Sequence, residues 1–182
     1  MPARSADSAP AQPPVLVVMG VSGCGKSTVA AILAGILRWD LGEGDDLHPP
    51  ANIAKMRRGE ALTDSERAPW LRAVAQWITE HTDAGQPAVI TCSALKRTYR
   101  DVLRNEHVVF VLLDGTFDQI SARIRERHGH YMPASLLQSQ FDTLERPGPD
   151  ERALVVDITP SAERQAARII TELHLHPDPA GA

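Results

Sequence analysis

The chain has 182 residues, 43% hydrophobic and 23% charged, with a net charge of −4 at pH 7. That length fills one core but not two, and the composition excludes wholesale disorder. The mildly acidic balance leaves no footprint for nucleic acid or an anionic membrane, so an anionic ligand has to be met by locally concentrated cations.

Residues 1–13 read as an Ala/Pro-rich tail without the apolar stretch of a secretory signal, and 176–182 as a second tail. One domain is expected over 14–175. Val15–Gly20, VLVVMG, is a continuous apolar run ending in glycine, the pattern of a buried parallel strand. A Gly-rich turn follows, then a helix with Val29, Ile32, Leu33, Ile36 and Leu37 on one stripe. A short strand near Trp39–Leu41 leads into EGDDLHPPANIAKM, where Pro49 and Pro50 break the chain and admit a short helix through Met56. A longer helix starts in TDSERAPW, with Trp70, Val74, Trp77, Ile78 and His81 at helical spacing. PAVITCS and HVVFVLLDG are two more buried strands, separated by a helix over Ala94–Arg104. Ile120 and Ile124 mark a helix ending in RIRERHGHYM. ALVVDI is the last strand, and Ala162, Ala166, Ile169, Ile170 and Leu173 form a closing amphipathic helix. Strands alternating with helices at this spacing predict a three-layer α/β/α sandwich around a parallel sheet. No apolar run approaches the roughly 20 residues of a membrane span. With only Cys24 and Cys92, a disulfide scaffold is excluded and a reducing cytoplasm fits.

GVSGCGKS, Gly20 to Ser27, matches G-x-x-x-x-G-K-[ST] between a predicted strand and a predicted helix. Its glycines let backbone N–H groups turn toward phosphate oxygens, and the helix N-terminus adds positive potential. Gly20, Val21, Ser22, Gly23, Cys24, Gly25, Lys26, Ser27 and Thr28 are therefore the expected ATP-binding residues. In this role Lys26 reaches the β- and γ-phosphates, and the Ser27 hydroxyl ligates Mg²⁺. A switch GTPase would need a guanine-reading N-K-x-D, which is absent, and the one D-x-x-G match, Asp178 to Gly181, falls in the tail. Asp114 reads as an ordinary strand-end acid rather than a Walker-B carboxylate. What remains is a small kinase, whose nucleotide must be covered by an arginine-bearing lid. The segment around 123–140 has that character: Arg123 and Arg127 lie four apart, and His130 follows a hinge glycine. Lys96 and Arg100, four apart after a strand end, either meet an anionic acceptor or form a solvated flank paired with Asp101.

Taken together, MGVSGCGKST, GDDLHPPANIAKMRRGEALTDSERAPWL, CSALKRTYRDVLR, RHGHYMPASLLQSQFDTLERP and LVVDI resemble, in order, the gluconokinase family of small P-loop sugar-acid kinases related to shikimate kinase. The resemblance implies ATP-dependent phosphorylation of D-gluconate at its 6-hydroxyl, Mg²⁺ dependence, a five-stranded parallel sheet in the order 2-3-1-4-5, and commonly a homodimer. Departures are modest: Glu43 stands where aspartate is frequent, Asp46 replaces an apolar or aromatic residue, and Ala61 replaces a proline. On this reading Asp45 orients the acceptor hydroxyl as base, and Glu43 joins Ser27 at the metal. His48 and Arg57 contact the polyol, Lys96 and Arg100 hold the carboxylate or the transferring phosphate, and Arg127 with His130 closes over ATP. Glu43 and Asp45 are expected to point the same way along an extended segment, with Asp46 pointing away. The alternatives are a kinase for another small acid such as shikimate, or a P-loop nucleotide-binding regulator without catalysis.

Overall fold

The computed structural model describes residues 13–126 and 133–178. The strands are β1 (Val15–Met19), β2 (Asp40–Glu43), β3 (Ala88–Thr91), β4 (Val108–Asp114) and β5 (Ala153–Asp157). They form one parallel sheet in the order β2-β3-β1-β4-β5, the order the family resemblance implies. The described helices are α1 (Lys26–Leu37), α2 (Pro50–Arg57), α3 (Asp64–Asp83), α4 (Arg97–Leu103), α5 (Phe117–Glu126), α6 (Ala134–Thr143) and α7 (Ala162–Glu172).

Successive side chains of a strand face opposite ways, so the apolar runs of β1, β3 and β4 feed two cores. Leu16, Val18, Val89, Val109, Val111 and Leu113 pack toward α1 and α7. Val15, Val17, Ala88, Ile90, Phe110 and Leu112 pack toward α3 and α4. Among the described residues no helix is long and apolar enough to cross a membrane.

Four local readings change. On α1 the buried stripe is Val29, Ala30, Leu33, Ala34 and Leu37, so the alanines rather than Ile36, which is 53% exposed, face the sheet. Helix α4 begins at Arg97, not Ala94; Ala94 adopts a left-handed φ of 43° that interrupts any helix there. β2 starts one residue after Trp39, which is itself buried. Helix α6 was not anticipated: Ser139, Gln138 and Gln140 dilute its apolar periodicity, and only Leu137 is fully buried.

The strands end together at one edge of the sheet, where ligands of open α/β sheets sit. There β2 gives way to a 3₁₀ turn, Gly44–Leu47. The Gly44 N–H donates to Thr91 Oγ1 (3.2 Å) and the Trp70 indole Nε1–H donates to the Gly44 carbonyl (2.7 Å). A Cβ on Gly44 would lie 2.1 Å from the Thr91 carbonyl oxygen, so only glycine fits this approach of two backbones. Gly44→Ala is therefore expected to lower stability by about 1–3 kcal/mol or more through overpacking, read as a lower urea midpoint; an unchanged midpoint would show that the junction relaxes freely.

Candidate active site

The turn from β1 into α1 is built on glycines with φ of 138° at Gly20, 82° at Gly23 and 104° at Gly25. A Cβ on Gly23 would meet Ile124 Cγ1 at 2.6 Å, so α5 packs directly onto the loop. Lys26 opens α1 and turns its Nζ back over the loop, donating to the carbonyls of Gly20 (3.0 Å) and Val21 (3.1 Å). The loop separates two clefts. One, of about 320 Å³, is lined by Gly23, Cys24, Gly25, Thr28, Arg123, Pro160, Ser161 and Gln165, among others. The other, of about 180 Å³, is lined by residues that include Ser22, Lys26, Asp45, His48, Arg67, Trp70, Ser93 and Gln140.

On the second side, Glu43 at the end of β2 accepts hydrogen bonds from Ser27 Oγ (3.1 Å) and Thr91 Oγ1 (2.7 Å) at the same carboxylate oxygen. A hydroxyl and a carboxylate at the end of a phosphate-loop turn suit a hard cation that keeps most of its waters. Among the described residues no group of three or more His, Cys, Asp or Glu is arranged to hold a metal by itself. Asp45, exposed on the 3₁₀ turn, lines the cleft with Lys26. His48 stacks flat on Trp70, with ring centroids 4.2 Å apart and planes 12° from parallel. Burial pushes the His48 imidazole below its ordinary 6.5, with Asp45 opposing and Arg67 assisting more weakly, so it is neutral at neutral pH. Its buried Nδ1 has no hydrogen-bond partner among the described residues.

Several sequence expectations are corrected. Asp45 does not share an extended segment with Glu43; the chain turns at Gly44, which leaves Glu43 on Ser27 and Thr91 and Asp45 in the cleft with Lys26. Lys96 and Arg100 do not share a helix face toward an acceptor. Lys96 is the N-cap residue of α4 and donates to both oxygens of Asp64 (3.0 and 2.8 Å). Arg100 is fully buried and forked onto Glu151, with Nη2 3.1 Å from Oε2 and Nε on Oε1. Its Nη1 donates to the carbonyls of Ala94 (3.0 Å) and Leu95 (3.3 Å), bracing the left-handed Ala94. Arg57 is exposed at the end of α2 and stands outside the cleft that its neighbour Met56 lines. Arg123 donates to the carbonyls of Cys24 (3.3 Å) and Ile158, beside the first cleft. Arg127 and His130 lie outside the described residues, as does the middle of the expected lid.

Four contributors were missed. Arg67 lies three residues before Trp70 on α3 and therefore on the same face, a spacing that was legible in DSERAPW. Gln140 of α6 accepts from the Ser22 N–H (2.7 Å) and donates to Ser22 Oγ (3.1 Å), tying α6 to the phosphate loop. Pro160 and Ser161 precede α7 and wall the first cleft; no local pattern marks them. Asp114 pairs with Arg146 (2.8 Å) at the end of β4, as expected of a strand-end acid. Cys24 and Cys92 are free and buried, and burial pushes the Cys92 thiol up to about 12.

A glycine loop between strand and helix, a lysine folded over it, and a separate polar cleft on either side define a small P-loop kinase, and residues 22–173 match the shikimate kinase family model. The chain is 50% identical to the gluconokinase of Gluconobacter oxydans over 91% of its own length and 92% of that protein's. Among solved structures it resembles a gluconokinase from Sinorhizobium meliloti (42% identity, TM-score 0.79, covering 90% of this chain and 97% of that one). It also resembles a sugar kinase from Janibacter sp. HTCC2649 (49% identity, TM-score 0.86, covering 93% and 98%). The chain belongs to the gluconokinase family, within the shikimate kinase-like P-loop kinases.

The buried pair makes a stability prediction. Arg100→Met leaves the Glu151 carboxylate buried without its partner, at an expected loss of about 3–5 kcal/mol. The Arg100 hydrogen bonds hold the Glu151 carboxyl below its ordinary 4.5. The parent's contribution is therefore complete above about that pH and is lost as pH falls through the folded value. Chemical denaturation across pH 3–7 should show this acid-side slope in the parent and its loss in the variant; parallel curves would remove the pair from the account.

Proposed function

We propose that the protein is a gluconokinase, transferring the γ-phosphoryl group of ATP to the 6-hydroxyl of D-gluconate to give 6-phosphogluconate and ADP. One observation carries the reading. Lys26, Asp45, His48 and Arg67 converge on a cleft of about 180 Å³, below the roughly 300–1,000 Å³ typical of drug-sized ligands and suited to a small polar metabolite. The cleft on the other side of the loop, with Thr28, Arg123 and Ser161, takes the nucleoside. Phosphates then lie across Gly20–Thr28, at the positive end of α1.

Each residue has a role in the transfer. Asp45 accepts a hydrogen bond from the acceptor hydroxyl, aims its oxygen in line with the γ-phosphorus, and takes the proton as the new O–P bond forms and the bond to the ADP oxygen breaks. Lys26 leaves the Gly20 and Val21 carbonyls for the β- and γ-phosphate oxygens. Neutral His48 offers ring nitrogen to a polyol hydroxyl, and the Arg67 guanidinium takes the carboxylate at the other end of the substrate. Mg²⁺, when bound, would be held by Ser27 with Glu43 nearby and would neutralise charge on the phosphate oxygens. Arg127 and His130 belong to the proposed cover over ATP. The homodimer and cytoplasmic location implied by the family belong to the same proposal; sedimentation velocity tests the first.

Asp45→Asn should lower kcat by about a hundredfold or more while ATP affinity, read by calorimetry, stays near the parent value. Near-normal kcat would remove Asp45 as base. Coupled ADP release with gluconate, shikimate, glucitol and AMP should respond to gluconate alone. Preference for shikimate would reassign the acceptor, and no acceptor-dependent release would leave a nucleotide-binding regulator.

A further inference from the structure

Arg67 and Asp64 lie three residues apart on one face of α3, where a direct ion pair is the ordinary outcome. The Arg67 Nη1 does pair with Asp64 Oδ1, but at 3.9 Å, a long ion pair beyond hydrogen-bond reach. The reason is that Asp64 is already occupied. Lys96 donates to both carboxylate oxygens at 3.0 and 2.8 Å, and the Tyr99 hydroxyl donates to Oδ1. Arg67 Nη1 donates to the Tyr99 oxygen (2.9 Å), and its guanidinium lies 5.5 Å from the Tyr99 ring centroid. Lys96 Nζ approaches the same ring at 5.4 Å. Among the described residues Arg67 donates a hydrogen bond to the Tyr99 oxygen and holds Asp64 only as a long ion pair, and it lines the smaller cleft. The hydrogen bonds from Lys96, and next from Tyr99, also hold the Asp64 carboxyl below its ordinary value.

We infer that Lys96 is a positioning residue for substrate selection: by saturating Asp64, with Tyr99 as the hinge between them, it keeps the Arg67 guanidinium available for the acceptor's carboxylate. This rests on the assignment of Arg67 to that carboxylate. It replaces the direct substrate contact that the sequence suggests for Lys96, and it makes Asp64 the internal competitor of the substrate acid. The pair is not a stability device, since the Asp64 side chain is 63% exposed and such ion pairs contribute little to folding.

The competition can be tested by removing and restoring it. Lys96→Met frees Asp64 to capture Arg67, and should raise the KM for gluconate about tenfold with kcat and the KM for ATP near parent values. The double variant Lys96→Met/Asp64→Asn removes the competitor as well and should return the gluconate KM to within about threefold of the parent. Asp64→Asn alone should change it by less than about twofold. Thermal unfolding of each variant accompanies the kinetics, and these partly exposed positions are expected to leave the melting temperature within a few degrees of the parent. An unchanged gluconate KM in Lys96→Met overturns the inference. So does a raised KM that Asp64→Asn fails to rescue, because Lys96 then touches the substrate itself. Arg67→Met separates this from the reading beneath it: if that variant keeps the parent gluconate KM, the carboxylate assignment fails; if it raises KM and Lys96→Met does not, only the positioning role fails.

Discussion

Where β2 and β3 end, two backbones come close enough that a single methyl group at Gly44 would collide with the Thr91 carbonyl. Most of the site's geometry depends on that approach. The Thr91 hydroxyl accepts the Gly44 N–H and donates to Glu43, so one side chain fixes both the strand end and the carboxylate beside Ser27. From Gly44 the chain turns through a 3₁₀ segment that carries Asp45 toward Lys26 and delivers His48 onto Trp70. Trp70 closes the arrangement by donating to the Gly44 carbonyl from the opposite side. Acids that look mutually repulsive along the chain are thereby separated: Glu43 is held by hydroxyl donors, Asp45 faces the cleft, and Asp46 is exposed.

The positive charge in this mildly acidic protein is sorted by what lies next to it rather than by how much there is. Arg100 is buried and entirely engaged by Glu151 and two carbonyls, and it braces the loop whose Ser93 and Leu95 wall the cleft. That loop reaches the phosphate site through the Ser93 carbonyl, which accepts the Gly20 N–H at 3.2 Å. Lys96 is engaged by Asp64, while Arg67, in a long ion pair with the same acid, lines the smaller cleft together with Lys26. One arginine is buried within the fold and the other faces a cleft. The two are indistinguishable as letters.

The parts of the fold that were legible in the sequence are those encoded over short distances. Continuous apolar runs identified β1, β3 and β4, because strands buried on both faces need no polar alternation; the run ALVVDI identified β5 as well, although as an edge strand it is only partly buried. Glycines placed where a helix must start around phosphate identified the loop, and the helix start read in TDSERAPW is that of α3, where Thr63 and Glu66 form a reciprocal capping box. Helix α6 was missed because its burial comes from lying across the phosphate loop through Gln140, not from a continuous apolar face.

The sequence by itself determined the class of fold, the phosphate loop, and the family, since each rests on residue order and local spacing. Tertiary structure alone decided which charged side chains are free to meet a ligand. Lys96, Arg100 and Arg67 acquire their roles from Asp64 and Tyr99, Glu151 and the Ala94 carbonyl, partners up to 51 positions away. Charge is a property of the residue, but availability depends on the nearest competing partner, and only folding chooses that partner.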